Sequence, residues 1–219
     1  MHESDRSPRA IPPGILRRLA GLVMIASVVF VILGDEPVIQ DFFGTDDKEL
    51  RLQYLRDAPD DWDRAMTMYA VAGVLVAGGF ALWAGAVHLA RSDRTLRRVA
   101  VVGAISALLG ALAWVSVCYG RATRPPAEVA DSHIPLLWGL AWPLLSMLAT
   151  ALVGWLLLRA HMRVRGWAII VAAVIFVPIG FILPLVVPFP VALTGLIIML
   201  ARSSRPGSSV TSPEPLMPS

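Results

Sequence analysis

The sequence predicts an all-α polytopic membrane protein: a six-helix transmembrane bundle whose last two spans form a proline-rich hairpin. Three observations carry this. The 219 residues are 56% hydrophobic and 16% charged, with a mean hydropathy of +0.67, against about a quarter charged in an ordinary soluble domain. The apolar residues gather into runs long enough for a bilayer roughly 30 Å thick at 1.5 Å rise per residue. The charges fall between those runs, with opposite signs in alternate loops. Such a composition argues against a soluble enzyme, a disordered chain and a nucleic-acid partner, and makes the lipid bilayer the first partner.

The first span is read at about 15–34, with Arg17 and Arg18 at its start, where long basic side chains reach headgroups. A cytoplasmic tail, 1–14, precedes it. A signal peptide would need a small-residue cleavage site, and Val31-Ile32-Leu33-Gly34-Asp35-Glu36-Pro37 supplies none, so the span is read as uncleaved. The external loop 35–63 follows. Thr45 with Asp46, Asp47 and Glu49 has the pattern of a helix start, Asp47 and Arg51 are spaced i, i+4, and Pro59 reads as the stop. One short helix over the mouth of the bundle is expected there, with Phe42, Phe43 and Trp62 at headgroup level. Asp57, Asp60, Asp61 and Asp63 lack the spacing and turn glycine of a calcium loop and are read as solvated, with Asp60 or Asp61 capping the second span.

Spans two, three and four are read at about 64–89, 99–119 and 135–158. The final apolar stretch, 167–201, is too long for one span and is interrupted by Pro178, Pro184, Pro188 and Pro190. Proline removes a backbone donor and clashes with the preceding turn. The dense part is therefore expected to leave the helix and separate two short spans, about 167–183 and 187–201. A Ser/Pro-rich tail, 202–219, has the composition of a disordered, solubilising segment.

Orientation follows from the basic residues, which favour the cytoplasmic side of short loops. The two tails and the loops after spans two and four hold thirteen arginines; the opposite side holds six basic residues. Twelve of the 16 acids lie on that opposite side. The two faces then carry +9 and −6, which give the net +3. Both termini are expected in the cytoplasm, which requires an even number of spans. All basic residues except Lys48 are arginine, and Ala, Val, Gly and Pro are abundant, a composition that points to a GC-rich bacterial genome and so to an inner membrane.

The predicted interior contains no deep Asp, Glu, Lys or Arg, the residues that mark ion coupling. It contains small residues instead. Gly73, Ala77, Ala81 and Gly85 recur every four positions in span two, Gly103, Ala107 and Ala111 in span three, and Ser146, Thr150 and Gly154 in span four. Such stripes let helix backbones approach closely, within one bundle or between two copies. Trp138 and Trp142 share a face beside Pro143, and Trp114 lies in the same half of span three; together they are candidates to line a pocket.

His88 and His161 share a side without the facing depth of a haem pair, and Cys118, the only cysteine, can form no internal disulfide. No cofactor, metal or catalytic residue is assigned. There is no GxSxG, HExxH, P-loop or dinucleotide fingerprint. The expected role is a non-enzymatic accessory or oligomerising subunit. A permease for an uncharged or lipid-like solute is the alternative. A lipid-acting enzyme built on Asp131 and His133 comes third.

Overall fold

The computed structural model describes residues 11–131 and 136–201, with the backbone alone at 136–139. The described residues contain no strand. Among them nine α-helices follow one another: α1 (Pro13–Leu33), α2 (Pro37–Gly44), α3 (Lys48–Asp57), α4 (Pro59–Ala90), α5 (Arg94–Thr123), α6 (Pro126–Asp131), α7 (Leu136–Arg159), α8 (Arg163–Ile182) and α9 (Pro188–Leu200), with a 3-10 turn, Pro184–Val186, before the last. Five of them, α1, α4, α5, α7 and α8, are long and apolar enough to cross a membrane. The chain is thus an all-helical, multi-pass membrane protein. The tail 202–219, the residues before 11, and His133 lie outside the described residues, as does the ring of Trp138.

Helix starts follow elementary rules. Proline begins α1, α2, α4, α6 and α9, where its missing N–H removes no helical bond. Asp93 caps α5, its carboxylate accepting from the Thr95 amide at 2.7 Å. Helix α7 ends with His161 in the left-handed region, φ 59°. The Met162 amide donates to the Leu157 carbonyl at 3.0 Å and the His161 amide to Leu158 at 3.1 Å, the paired closure that a left-handed residue permits.

Neighbours in space follow the order α9, α1, α4, α5, α7, α8, and α9 also touches α4, α7 and α8, which closes the row into a bundle. Its centre is packed with Met24, Val76, Phe80, Met147, Val153 and Ile169, all 1% exposed or less. Two glycine-on-glycine contacts set the closest approaches. A Cβ on Gly21 would lie 2.6 Å from the Gly195 carbonyl oxygen, and one on Gly195 would lie 2.7 Å from that of Gly21, so α1 and α9 touch backbone to backbone. Gly154 of α7 and Gly166 of α8 meet in the same way, at 2.8 and 2.7 Å.

The proline-rich stretch differs from expectation in part. Helix α8 runs through Pro178 to Ile182 and the chain leaves the α-helix at 183–187, close to the expected bounds, but Pro188 and Pro190 of the dense part stand in the first turn of α9 rather than outside it. Amides of a first turn have no intrahelical acceptor, so proline there forfeits nothing. Pro143 likewise sits inside α7, where it packs against Gly180 of α8.

The loop 35–63 also differs. It forms two helices, α2 and α3, where one was expected. The cap of α3 is Asp47, which accepts from the Glu49 and Leu50 amides, while Thr45 accepts from the Asp47 amide at 3.1 Å. Arg51 pairs with Asp46 at 3.3 Å, not with Asp47, because the capping geometry occupies the Asp47 carboxylate. Asp60 and Asp61 lie in the first turn of α4, whose cap position is Ala58. Phe42 and Trp62 are buried, and of the three rings assigned to the headgroup level only Phe43 is exposed.

Candidate functional site

The two ends of the bundle have opposite character. At one end α2, α3 and α6 lie with the start of α4 and the close of α5, and acids dominate. Lys48 of α3 pairs with Asp131 of α6 at 3.0 Å, and Arg64 of α4 pairs with both Glu36 and Asp61. Arg121 is buried there, only 9% exposed. Its guanidinium lies over the Phe43 ring at 5.1 Å and the Phe42 ring at 5.9 Å. The Trp62 indole N–H donates to the Arg121 carbonyl at 3.1 Å. A cation over aromatic faces recovers part of the hydration it loses on burial.

The other end collects the start of α1, the close of α4, the start of α5, and the closes of α7 and α9 around a cavity of about 530 Å³. This volume is within the usual range for small-molecule sites, about 300–1,000 Å³. Among the described residues four arginines line it, Arg17 and Arg18 from α1, Arg91 at the close of α4, and Arg159 at the close of α7, and no acidic residue does. Its floor is apolar, with Trp83, Leu156, Leu157 and Ile198, each 7% exposed or less.

Local chemistry accounts for two of the four cations. Arg91 and Arg159 stand at helix C-termini, where the macrodipole favours positive charge, and Arg159 also lies 4.9 Å over the Trp155 ring. Arg17 and Arg18 stand in the second turn of α1, where no helix C-terminus favours them. The Arg17 Nε is buried and has no hydrogen-bond partner. The α1 terminus itself has no side-chain cap, and its Gly14 lines the same cavity. An orphan donor and an uncapped helix start therefore converge on one space.

The small-residue stripes divide. Gly73 faces Trp114 and the Ala111 carbonyl, and Ala77 is buried. Ala81 is exposed, and a Cβ on Gly85 would meet nothing within 4 Å. Gly103 faces Ala149 and Leu152 of α7, and Ala107 and Ala111 are buried. Trp114 and Trp142 stack at 5.8 Å with 15° between their planes, at 6% and 1% exposure. Their N–H groups donate to the Tyr69 and Pro184 carbonyls at 3.0 and 3.1 Å. These two rings fill the interior and tie α4, α5, α7 and the turn before α9 together. Asp131 is engaged with Lys48, and His88 and His161 are both exposed.

Sequence reasoning used Arg17, Arg18, Arg91 and Arg159 for topology alone. The signal available was their recurrence at one predicted face, close to span ends; what it lacked was that the three helix ends carrying them share one vestibule. No known protein family matches the chain, and no curated protein or solved structure matches it either.

Proposed function

We propose that the chain is a six-span protein of a bacterial inner membrane, with both termini in the cytoplasm, that works without catalysis as an accessory or self-associating subunit. The sixth crossing is the apolar segment Pro184–Leu200. At 1.5 Å per residue it reaches about 25 Å, enough for a locally thinned bilayer. The start of α1 and the close of α9 lie at the same, arginine-rich end, which is the end the positive-inside rule assigns to the cytoplasm.

The observation that carries the subunit reading is the outward face of α4. Ala81 is exposed, Gly78 and Gly85 are half-buried, and these three recur at i, i+3 and i+7. Small residues on a lipid-facing helix allow another backbone to approach where no hydrophobic drive operates. Crosslinking in the native membrane, followed by mass spectrometry of the purified chain in lipid, is expected to show a defined oligomer or a constant partner, weakened by Ala81→Leu. A strict monomer with no crosslinked partner overturns the reading.

Of the permease readings, the cavity at the basic end favours the one for a lipid-like solute. It requires a path past Trp83 and Ile198. Flux of a labelled phospholipid across reconstituted vesicles, no faster than across empty ones, removes it.

A further inference from the structure

We propose that the arginine-lined cavity at the basic end binds the phosphate headgroup of an anionic phospholipid. The first ground is charge. Arg17, Arg18, Arg91 and Arg159 share one cavity that no acidic residue lines among the described residues. Asp93, the one acid at that end among the described residues, is engaged in capping α5. Four like charges around a partly enclosed space repel one another more strongly than in open water. A phosphate removes that repulsion and accepts from several guanidinium groups at once.

The second ground is the unsatisfied donor. Buried polar groups in folded proteins nearly always have partners, and the Arg17 Nε has none. The start of α1, which has no side-chain cap, adds a positive dipole end toward the same space, although its Ile15 and Leu16 amides are closed on the Pro12 carbonyl. An anion there answers the Arg17 donor, the helix terminus and the clustered cations together.

The third ground decides between a lipid and a soluble anion. Trp83, Leu156, Leu157 and Ile198 make an apolar floor, and Ile15, half exposed, stands on the wall. A free phosphate has no use for such surface, whereas the glycerol ester and the root of an acyl chain do. The cavity also lies at the end of a membrane bundle, at the depth where headgroups meet protein, and basic pockets between transmembrane helices are known anionic-lipid sites. A single chain carries every one of these groups, so the site does not depend on association between copies.

Native mass spectrometry of the full chain in a neutral detergent tests this directly. With phosphatidylglycerol the expected result is one retained lipid per chain, held at least about tenfold more tightly than phosphatidylcholine. Arg17→Gln and Arg159→Gln are each expected to weaken retention by about tenfold, the usual worth of a hydrogen bond to a charged group. Arg18→Gln alters an exposed rim residue, so it tests the same direction without disturbing the core. Arg163→Gln, exposed and outside the cavity, is expected to leave retention unchanged. Equal retention of the two lipids, full retention by both Arg17→Gln and Arg18→Gln, or an equal loss from Arg163→Gln overturns the proposal. Displacement of phosphatidylglycerol by inorganic phosphate as readily as by a second anionic lipid also overturns it, in favour of a soluble anion.

Discussion

His161 holds a left-handed backbone without being glycine. That conformation costs an L-residue roughly 1–2 kcal/mol, which glycine avoids. His161→Gly is therefore expected to raise stability by about 1 kcal/mol, seen as a higher unfolding temperature in detergent; an unchanged or lower one shows that the ring contributes more than the strain. Trp142 makes the complementary case. Its indole N–H satisfies the Pro184 carbonyl at the turn between α8 and α9. Trp142→Phe keeps a ring for stacking on Trp114 but orphans that acceptor, an expected loss of about 1–3 kcal/mol by the same measurement. The sequence placed Trp142 beside Pro143 on one face of a helix, and that much was legible. Its partner carbonyl lies 42 positions away, and no local pattern points to it.

The helices are held by a few backbone contacts more than by the regular stripes. Gly73, Ala77, Ala81 and Gly85 are four apart, and each step turns about 40° around a helix of 3.6 residues per turn. The stripe consequently drifts out of the interior, with its first half packed and Ala81 and Gly85 facing outward. Isolated glycines among large apolar residues, Gly21 and Gly195 above all, make the tightest approach instead. Gly195→Ala is expected to destabilise by about 1–3 kcal/mol, because the clash is with the Gly21 backbone and only a shift of α9 relieves it. Gly120→Ala, inside α5 with nothing closer than ordinary contact, is expected to be neutral or to gain up to about 1 kcal/mol of helix propensity. Equal melting of the two variants contradicts this account. The acidic cap shows the same limit of pattern reading. A helix over 48–57 was legible from its acids and its terminal proline, but α2 was not, and neither was the burial of Phe42 and Trp62, which depends on Arg121 arriving from α5.

At the scale of the molecule, the two ends differ in charge and in construction. Topology is open to thiol labelling, since Cys118 is buried and gives little background. With a membrane-impermeant maleimide applied to intact cells, Gln53→Cys in α3 and Leu183→Cys in the turn after α8 are expected to label from outside, and Ser92→Cys only after lysis. Labelling of Leu183→Cys only after lysis refutes the return of the chain through Pro184–Leu200. The exposed Lys48–Asp131 pair contributes little to holding the cap on. Lys48→Met is expected to change stability by less than about 1 kcal/mol, whereas Arg121→Ala, which strips the cation from between two rings, is expected to cost more, both by thermal melting. A larger loss from Lys48→Met reverses that ranking.

The amino-acid sequence by itself determined the solvent and the segments: which runs are apolar enough for lipid, and where basic and acidic residues gather. Those properties are additive along the chain and need no neighbour in space. Tertiary structure alone decided which faces meet. It set Gly21 on Gly195 and Gly154 on Gly166, stacked Trp114 on Trp142, and brought Arg17, Arg18, Arg91 and Arg159 around one cavity. Helix rotation and the order α9, α1, α4, α5, α7, α8 fix those meetings. Both are settled by packing between segments far apart in the chain, where hydropathy is uniform and carries no directional information.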